Sequence, residues 1–299
     1  MFLFSNGNCF FSREKKAIFL ISKSLNGDTD LSETNKAMPY TPHIQNQPYV
    51  DFMEARPDVP LVTVAIYLVF VFGVPRVLSK PLALTPLVAL WNLLLTAFSI
   101  VGASHTVPAL VASLTENGWR HSLCSPSSNW TSEATLWVTL FIFSKFPELL
   151  DTVFLVLQKK KVIFLHWFHH VTVLLYCWQA YMYSVSTGLW FCAMNFSVHS
   201  IMYLYYFLTT MRWCRSVTKA VAPLITFLQT AQMVVGMTVT AAGAYYQRMD
   251  PTSCDVDPTN SALGLAMYTC YFVLFAKLFR DNNNRDKRTS EGFKVSRQN

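Results

Sequence analysis

Seven stretches of roughly 20 mostly apolar residues recur along this chain, and each is long enough to cross a bilayer as a helix at about 1.5 Å per residue. Their approximate cores are Leu61–Val77, Leu82–Ala103, Leu136–Leu157, Val162–Tyr181, Leu189–Leu208, Val221–Ala244 and Ala262–Phe279. The first is interrupted near its end by Gly73 and Pro75. Backbone polar groups in hydrocarbon have to be satisfied within the segment, so the expected fold is all-α and polytopic, with about seven transmembrane helices. Composition agrees: 52% of residues are hydrophobic and 14% charged, against about a quarter charged in soluble domains.

The distribution of charge orients the spans. One set of connections holds Arg76 and Lys80, then Lys159, Lys160 and Lys161, then Arg212, Arg215 and Lys219. The tail adds Arg280, Arg285, Lys287, Arg288, Lys294 and Arg297, whereas the opposite connections hold little beyond Arg120 and Arg248. Positive charge stays cytosolic, which puts the C-terminus in the cytosol. The net charge of +7 gathers at the ends of apolar blocks, which points to a membrane surface and away from nucleic acid. The sequon Asn129-Trp130-Thr131 falls on the lumenal side, where glycosylation is usable. Cys124 and Cys254 also fall there, where oxidation is permitted, and a disulfide between them would tie the connection after span two to that after span six. Cys177, Cys192, Cys214 and Cys270 read as packing residues, and the seven cysteines show no zinc spacing. Residues 1–37 form an N-terminal extension, a presequence or an upstream addition to the frame. Residues 38–280 are the transmembrane domain and 281–299 a basic cytosolic tail.

Polar residues inside the spans mark the chemistry, because an ionisable group in hydrocarbon is costly unless paired or facing a cavity. His166, His169 and His170 share one side of span four. Span three carries Lys145, Glu148 and Asp151 three apart, with Pro147 able to kink it, and span five carries Asn195, His199, Tyr203 and Tyr206. Span six carries Thr226, Gln229 and Gln232. Counted inward from the cytosolic helix ends, Asp151, His169, His199 and Gln229 all lie roughly 9–14 Å deep, which implies one polar cavity in the cytosolic half of the membrane. Each has a plainer reading: His199 as an interhelical hydrogen bond, the Lys145–Asp151 stripe as structure, the glutamines as glue between helices, the tyrosines as cavity wall. Three clustered imidazoles are harder to explain as packing. His43, His105 and His121 lie outside the spans and read as solvated or structural. The Lys159–Lys161 run is a topology anchor that an anionic thioester would also pass.

The HxxHH spacing also occurs in membrane di-iron desaturases and hydroxylases, which hold two irons with many imidazoles. This chain has seven histidines, four of them in spans, and Lys145 stands beside its carboxylates. No metal or other cofactor is expected, although a mononuclear site stays open on residue count. Without metal, a neutral imidazole suits attack on a thioester, giving an acyl-imidazole, while a second histidine moves protons and amide or hydroxyl donors steady an oxyanion. A seven-span transporter or receptor, whose cavity binds its ligand without converting it, is the rival from another class.

The blocks KFPELLDT, FLHWFHH, NFSVHSIMYLYY and Thr226-xx-Gln229-xx-Gln232-Met233, with WNLLL in span two, resemble the signature blocks of the ELO family, the very-long-chain fatty acid elongases. The resemblance runs from about Pro48 to the tail with the blocks in family order. It implies that the last six helices form a barrel-like bundle around an acyl tunnel. It also implies a 3-oxoacyl-CoA synthase of the endoplasmic reticulum that joins acyl-CoA to malonyl-CoA with release of CO2 and CoA. By motif position His169 looks like the acyl-accepting nucleophile of a ping-pong cycle and His199 like its partner toward malonyl-CoA, with His166 and His170 completing the box. Lys145, Glu148, Asp151, Asn195, Tyr203, Tyr206, Gln229 and Gln232 would shape the site or hold CoA, and the Cys124/Cys254 pair matches a family feature. LHWFHHVTVLLY looks more like elongases of saturated and monounsaturated chains near C16. The same analogy implies reductase and dehydratase partners and leaves a homo-oligomer open.

Overall fold

A computed structural model describes residues 46–295, all helices and connections. The expectations for residues 1–37 and for His43 lie outside the described residues, as do the side chains of Arg212 and of the tail charges beyond Arg280. A short helix α1 (Gln47–Ala55) leads into α2 (Asp58–Val77), with an Arg56–Asp58 ion pair of 2.9 Å at the joint. Then come α3 (Thr85–Cys124), α4 (Ser132–Ser144), α5 (Leu150–Leu157), α6 (Phe164–Met182), α7 (Gly188–Thr209), α8 (Arg215–Met249) and α9 (Pro258–Val295). Helices α2, α3, α8 and α9 as far as Arg280 are long and apolar enough to cross a membrane by length and composition. The protein is thus an α-helical polytopic membrane protein. Span three is divided between α4 and α5, and α6 and α7 carry the histidine-rich and Asn/His-rich faces that lower their apolar character.

Packing closes a ring. Helix α3 packs on α7, α7 on α8, α8 on α9, α9 on α6, α6 on α4, and α4 on α3. Helix α2 lies outside the ring against α5 and α6, and exposes Ile66 and Val69 as a lipid-facing surface would. Two close approaches set the ring's dimensions. A Cβ on Gly102 would fall 2.5 Å from the buried Phe196 ring, and one on Gly236 would fall 2.6 Å from the Tyr268 ring.

Two expectations are corrected. The connection after Ala103 is helical as far as Cys124, so His105 and His121 lie within α3. The helix persists past the apolar run because its inner face stays packed: Thr106 and Leu110 are buried, and the Thr106 hydroxyl donates to the Gly102 carbonyl at 2.8 Å. His105 Nδ1 lies 2.9 Å from Glu133 and its ring stacks on Trp137. Gly118 then takes φ 84°, a left-handed conformation that favours glycine, and turns the last residues of α3 inward. Span three, expected as one kinked helix, is broken outright. Pro147 has no N–H to continue the ladder, so a 3-10 turn (Pro147–Leu149) separates α4 from α5.

The far end of the bundle from the Lys159–Lys161 loop is locked. Cys124 and Cys254 form a disulfide of 2.01 Å that joins the end of α3 to the α8–α9 connection. Around it the Asp255 N–H donates to the Cys124 carbonyl at 3.0 Å and the Ser186 hydroxyl donates to the Leu123 carbonyl at 2.5 Å. Outside, Arg120 meets Asp250 at 3.1 Å, and the Ser253 and Thr252 hydroxyls hold the Asp250 carboxyl down at about 2. Asn129 is exposed in the neighbouring 3-10 turn, donating to Ser125 Oγ, and its sequon partner Thr131 caps α4 by accepting the Ala134 N–H.

The crosslink closes a loop of 130 residues. Cys254→Ser is therefore expected to lose about 2–5 kcal/mol, seen as a lower Tm in detergent that reductant no longer shifts. Gly102→Ala should cost about 1–3 kcal/mol by overpacking against Phe196, read from the same melting curve.

Candidate active site

Helices α5, α6, α7 and α8 each turn polar side chains into one cavity of about 170 Å³ on the side of the bundle nearer the Lys159–Lys161 loop. Its walls include Glu148 and Asp151, His166, His169 and His170, Asn195 and His199, Tyr203 and Tyr206, and Gln229 and Gln232. The structure therefore brings together every site residue expected inside the spans except Lys145. That lysine stands behind Glu148, off the cavity wall.

Burial forces these groups into partnerships. Lys145 and Glu148 are 2% and 4% exposed, which is tolerable only as an ion pair, and Lys145 Nζ donates to both Glu148 oxygens at 2.7 and 2.9 Å. The Ser144 hydroxyl donates to the same carboxylate at 2.7 Å, and Nζ sits 3.9 Å from the centre of the Phe141 ring. Asp151, three residues on, takes separate partners. It accepts from Trp91 Nε1 at 2.7 Å and from the Tyr203 hydroxyl at 2.8 Å, which links α3, α5 and α7 through one carboxyl.

The imidazoles are held individually. His166 Nε2 lies 2.9 Å from the Thr152 hydroxyl, which shares a 2.7 Å hydrogen bond with Tyr67 on α2. His199 Nε2 lies 3.2 Å from Asn195 Nδ2, one turn earlier on α7. The His166 and His170 rings meet edge to face at 4.7 Å, and the His169 ring stands 5.4 Å from that of His170 and 5.1 Å from that of Tyr271. The Tyr271 hydroxyl approaches the His169 carbonyl at 3.3 Å and Thr172 Oγ1 at 2.5 Å, so α9 steadies the turn bearing His169. Gln229 Nε2 donates to the Met202 sulfur at 3.1 Å, while Asn195 Oδ1 and Gln232 Oε1 are buried without a partner among the described residues. Among the described residues, no three His, Cys, Asp or Glu side chains are grouped so as to hold a metal ion.

Trp91, Thr152, Tyr67 and Tyr271 were not singled out from the sequence. Tyr268 and Tyr271 repeat the three-residue spacing seen in the other polar stripes, and Thr152 directly follows Asp151. Tyr67 offered no signal, because its role depends on where α2 docks.

Two further cavities adjoin the polar one. Toward the lysine loop, a cavity of about 450 Å³ is lined by Trp91, Asn92, Gln158 and Lys160, and shares Asp151, His166 and Tyr206 with the polar chamber. In the other direction an apolar cavity of about 70 Å³, walled by Val138, Phe141, Ile142, Val173 and Phe191, shares His169, Asn195, Gln232 and Met233. His169 thus stands at the neck between a polar chamber and an apolar one.

Residues 52–291 match the family described as ELO: GNS1/SUR4 family. The chain belongs to the ELO family. Among the relatives of this ELO-family chain, Fatty acid elongase 3 of Trypanosoma brucei brucei is 39% identical over 267 residues, 80% of this chain and 88% of the relative. Very long chain fatty acid elongase 4 of Trypanosoma cruzi is 43% identical over 227 residues, covering 74% of this chain and 79% of the relative. Very long chain fatty acid elongase 6 of Drosophila melanogaster is 41% identical over 218 residues, covering 72% and 68%.

The Asp151 junction can be tested by stability alone. Asp151→Leu strands the Trp91 N–H and the Tyr203 O–H without an acceptor and is expected to cost about 2–4 kcal/mol, whereas Asp151→Asn, which keeps an acceptor, should cost less. Melting curves of the two variants in detergent decide it.

Proposed function

We propose that this chain is a fatty acid elongase, a very-long-chain 3-oxoacyl-CoA synthase that condenses a long-chain acyl-CoA with malonyl-CoA. The observation that carries the reading is the position of His169, which faces the apolar cavity on one side and the polar chamber on the other. The names of the relatives support the same substrate class.

In this reading the acyl chain occupies the apolar cavity, and its thioester carbonyl lies at His169. The CoA moiety extends through the polar chamber into the outer cavity, where Lys160 meets its phosphates. A neutral His169 nitrogen attacks the carbonyl, the tetrahedral oxyanion collapses, and CoA leaves as the thiol with the proton released, giving an acyl-imidazole. Malonyl-CoA then loses its carboxylate as CO2. The electron pair passes into an enolate, whose carbon attacks the acyl carbonyl and expels the imidazole, which regains its N–H proton from solvent, leaving 3-oxoacyl-CoA. His199 and Asn195, hydrogen-bonded to each other, act on the malonyl thioester oxygen. The apolar walls keep water from the acyl-imidazole. No metal or other cofactor takes part.

Length constrains the substrate. From His169 to Tyr181 the helix rises about 18 Å. A carbon chain gains about 1.3 Å per methylene from C–C bonds of about 1.5 Å, so about 14 methylenes would span the distance between these two wall residues. We take saturated and monounsaturated acyl groups near that length as the substrates. We place the protein in the endoplasmic reticulum membrane with a cytosolic C-terminus, feeding a reductase and then a dehydratase that consume the 3-oxo product.

Purified protein given palmitoyl-CoA and labelled malonyl-CoA should form labelled 3-oxoacyl-CoA. Without malonyl-CoA it should release about one equivalent of CoA per site. His169→Ala should abolish that partial reaction, while His199→Ala should retain it and lose condensation. CoA release by His169→Ala at the wild-type level would remove His169 from the nucleophile's role, and absence of labelled product across acyl lengths would defeat the elongase reading.

A further inference from the structure

Tyr67 on α2 and Thr152 on α5 are both buried, and their hydroxyls meet at 2.7 Å. Thr152 Oγ1 is also 2.9 Å from His166 Nε2. Among the described residues Tyr67 has no other hydrogen-bond partner and Thr152 has only these two. Thr106 and Thr139 donate to the carbonyl four residues earlier, but Thr152 does not. Each hydroxyl carries one proton, so the direction of the chain can be worked out. A proton on His166 Nε2 would be donated to Thr152. Thr152 would then either donate to Tyr67, leaving the Tyr67 proton unpaired, or accept from both neighbours, leaving its own unpaired. A buried unpaired O–H is costly. One direction pairs every proton: Tyr67 donates to Thr152, and Thr152 donates to a bare His166 Nε2.

A neutral imidazole with a bare Nε2 carries its proton on Nδ1. Among the described residues Nδ1 of His166 has no hydrogen-bond partner, and it is not one of the buried unpaired atoms, so it opens onto free space. His166 walls both the polar chamber and the outer cavity, which puts this N–H at the passage between them. The residue stands one turn before His169, about 4.5 Å nearer the lysine loop along α6.

We propose that Tyr67, acting through Thr152, is a positioning residue that fixes His166 as a neutral Nδ1–H donor to the CoA arm of the substrate. The acceptor is the pantetheine amide oxygen nearest the sulfur. With the thioester carbonyl at His169, that amide follows a few bonds outward, at the level of His166. The bare nitrogen of His166 is occupied by Thr152, so this histidine binds the arm and does not act as a base. The proposal rests on the elongase reading and gives a role in it to α2, which lines none of the three cavities.

The test is the nitrogen NMR spectrum of histidine-labelled protein in detergent, with the His166 signals assigned by their loss in His166→Gln. Wild type should show a protonated Nδ1 and a bare Nε2. Tyr67→Phe removes the donor to Thr152, so Thr152 becomes free to accept from Nε2–H and the second tautomer should appear. Thr152→Ser keeps the hydroxyl and should keep the wild-type signature. For CoA release from palmitoyl-CoA, Tyr67→Phe should raise KM about three- to tenfold with kcat within about twofold, and Thr152→Ser should leave KM within about twofold. A wild-type spectrum with the proton on Nε2, or on both nitrogens, overturns the proposal. So does a Tyr67→Phe variant that keeps the wild-type spectrum, or one that changes it without changing KM. The wild-type spectrum decides by itself if the variants do not fold. Absence of CoA release from any acyl-CoA overturns the elongase reading and the acceptor assigned here. The spectrum needs no substrate, so it separates that failure from failure of the hydrogen-bond chain.

Discussion

The cost of placing polar groups among apolar helices governs this structure. Lys145 and Glu148 sit 2% and 4% exposed in a bundle whose outer surface is apolar, and neither charge could stay there alone. Their pairing is local, three residues apart across the turn that Pro147 opens, so it forms wherever α4 and α5 fold. Asp151 follows a different rule. Its acceptors' partners come from α3 and α7, so its burial is compensated only once the ring has closed. One carboxylate is therefore satisfied by secondary structure and the next by tertiary structure. The second couples the geometry of the chamber to assembly of the whole bundle.

The break at Pro147 gives the site its shape. A continuous helix from Ser132 to Leu157 would carry Lys145, Glu148 and Asp151 along a single inclined row. The 3-10 turn sets α5 at its own register, with Thr152 directed at His166, and the Ser144 hydroxyl donates to Glu148 across it. Tyr67 then completes the row from outside the ring. This gives α2 a structural reason to be present although it lines neither the chamber nor the apolar cavity.

Helix positions and the convergence of polar stripes were readable because both follow from local periodicity. Hydrocarbon requires long apolar helices, and 1.5 Å per residue turns a count from the basic loops into a depth. Asp151, His169, His199 and Gln229 fell at one depth on that arithmetic and share one cavity here. What periodicity cannot supply is contact between segments distant in sequence. Nothing near Tyr67 points to Thr152, eighty-five residues away, and nothing near Asn46 points to Tyr181. The extension of α3 to Cys124 was missed for a related reason. His105 and Pro108 interrupt its apolar run and its last turns from Thr115 to Ser122 are polar, and only packing, with Thr106 fully buried, shows why it stays helical.

The neck at His169 is where a covalent intermediate would need both environments at once. A thioester must be approached by polar groups that can stabilise an oxyanion, yet the acyl-imidazole that results survives only where water is scarce. Asn195 and Gln232 occupy the same neck, each with a buried amide oxygen lacking a partner among the described residues. Groups left unsatisfied at that point are costly to the resting protein. The apolar walls beyond the neck, Val138, Phe141, Ile142 and Val173, bear no such demand.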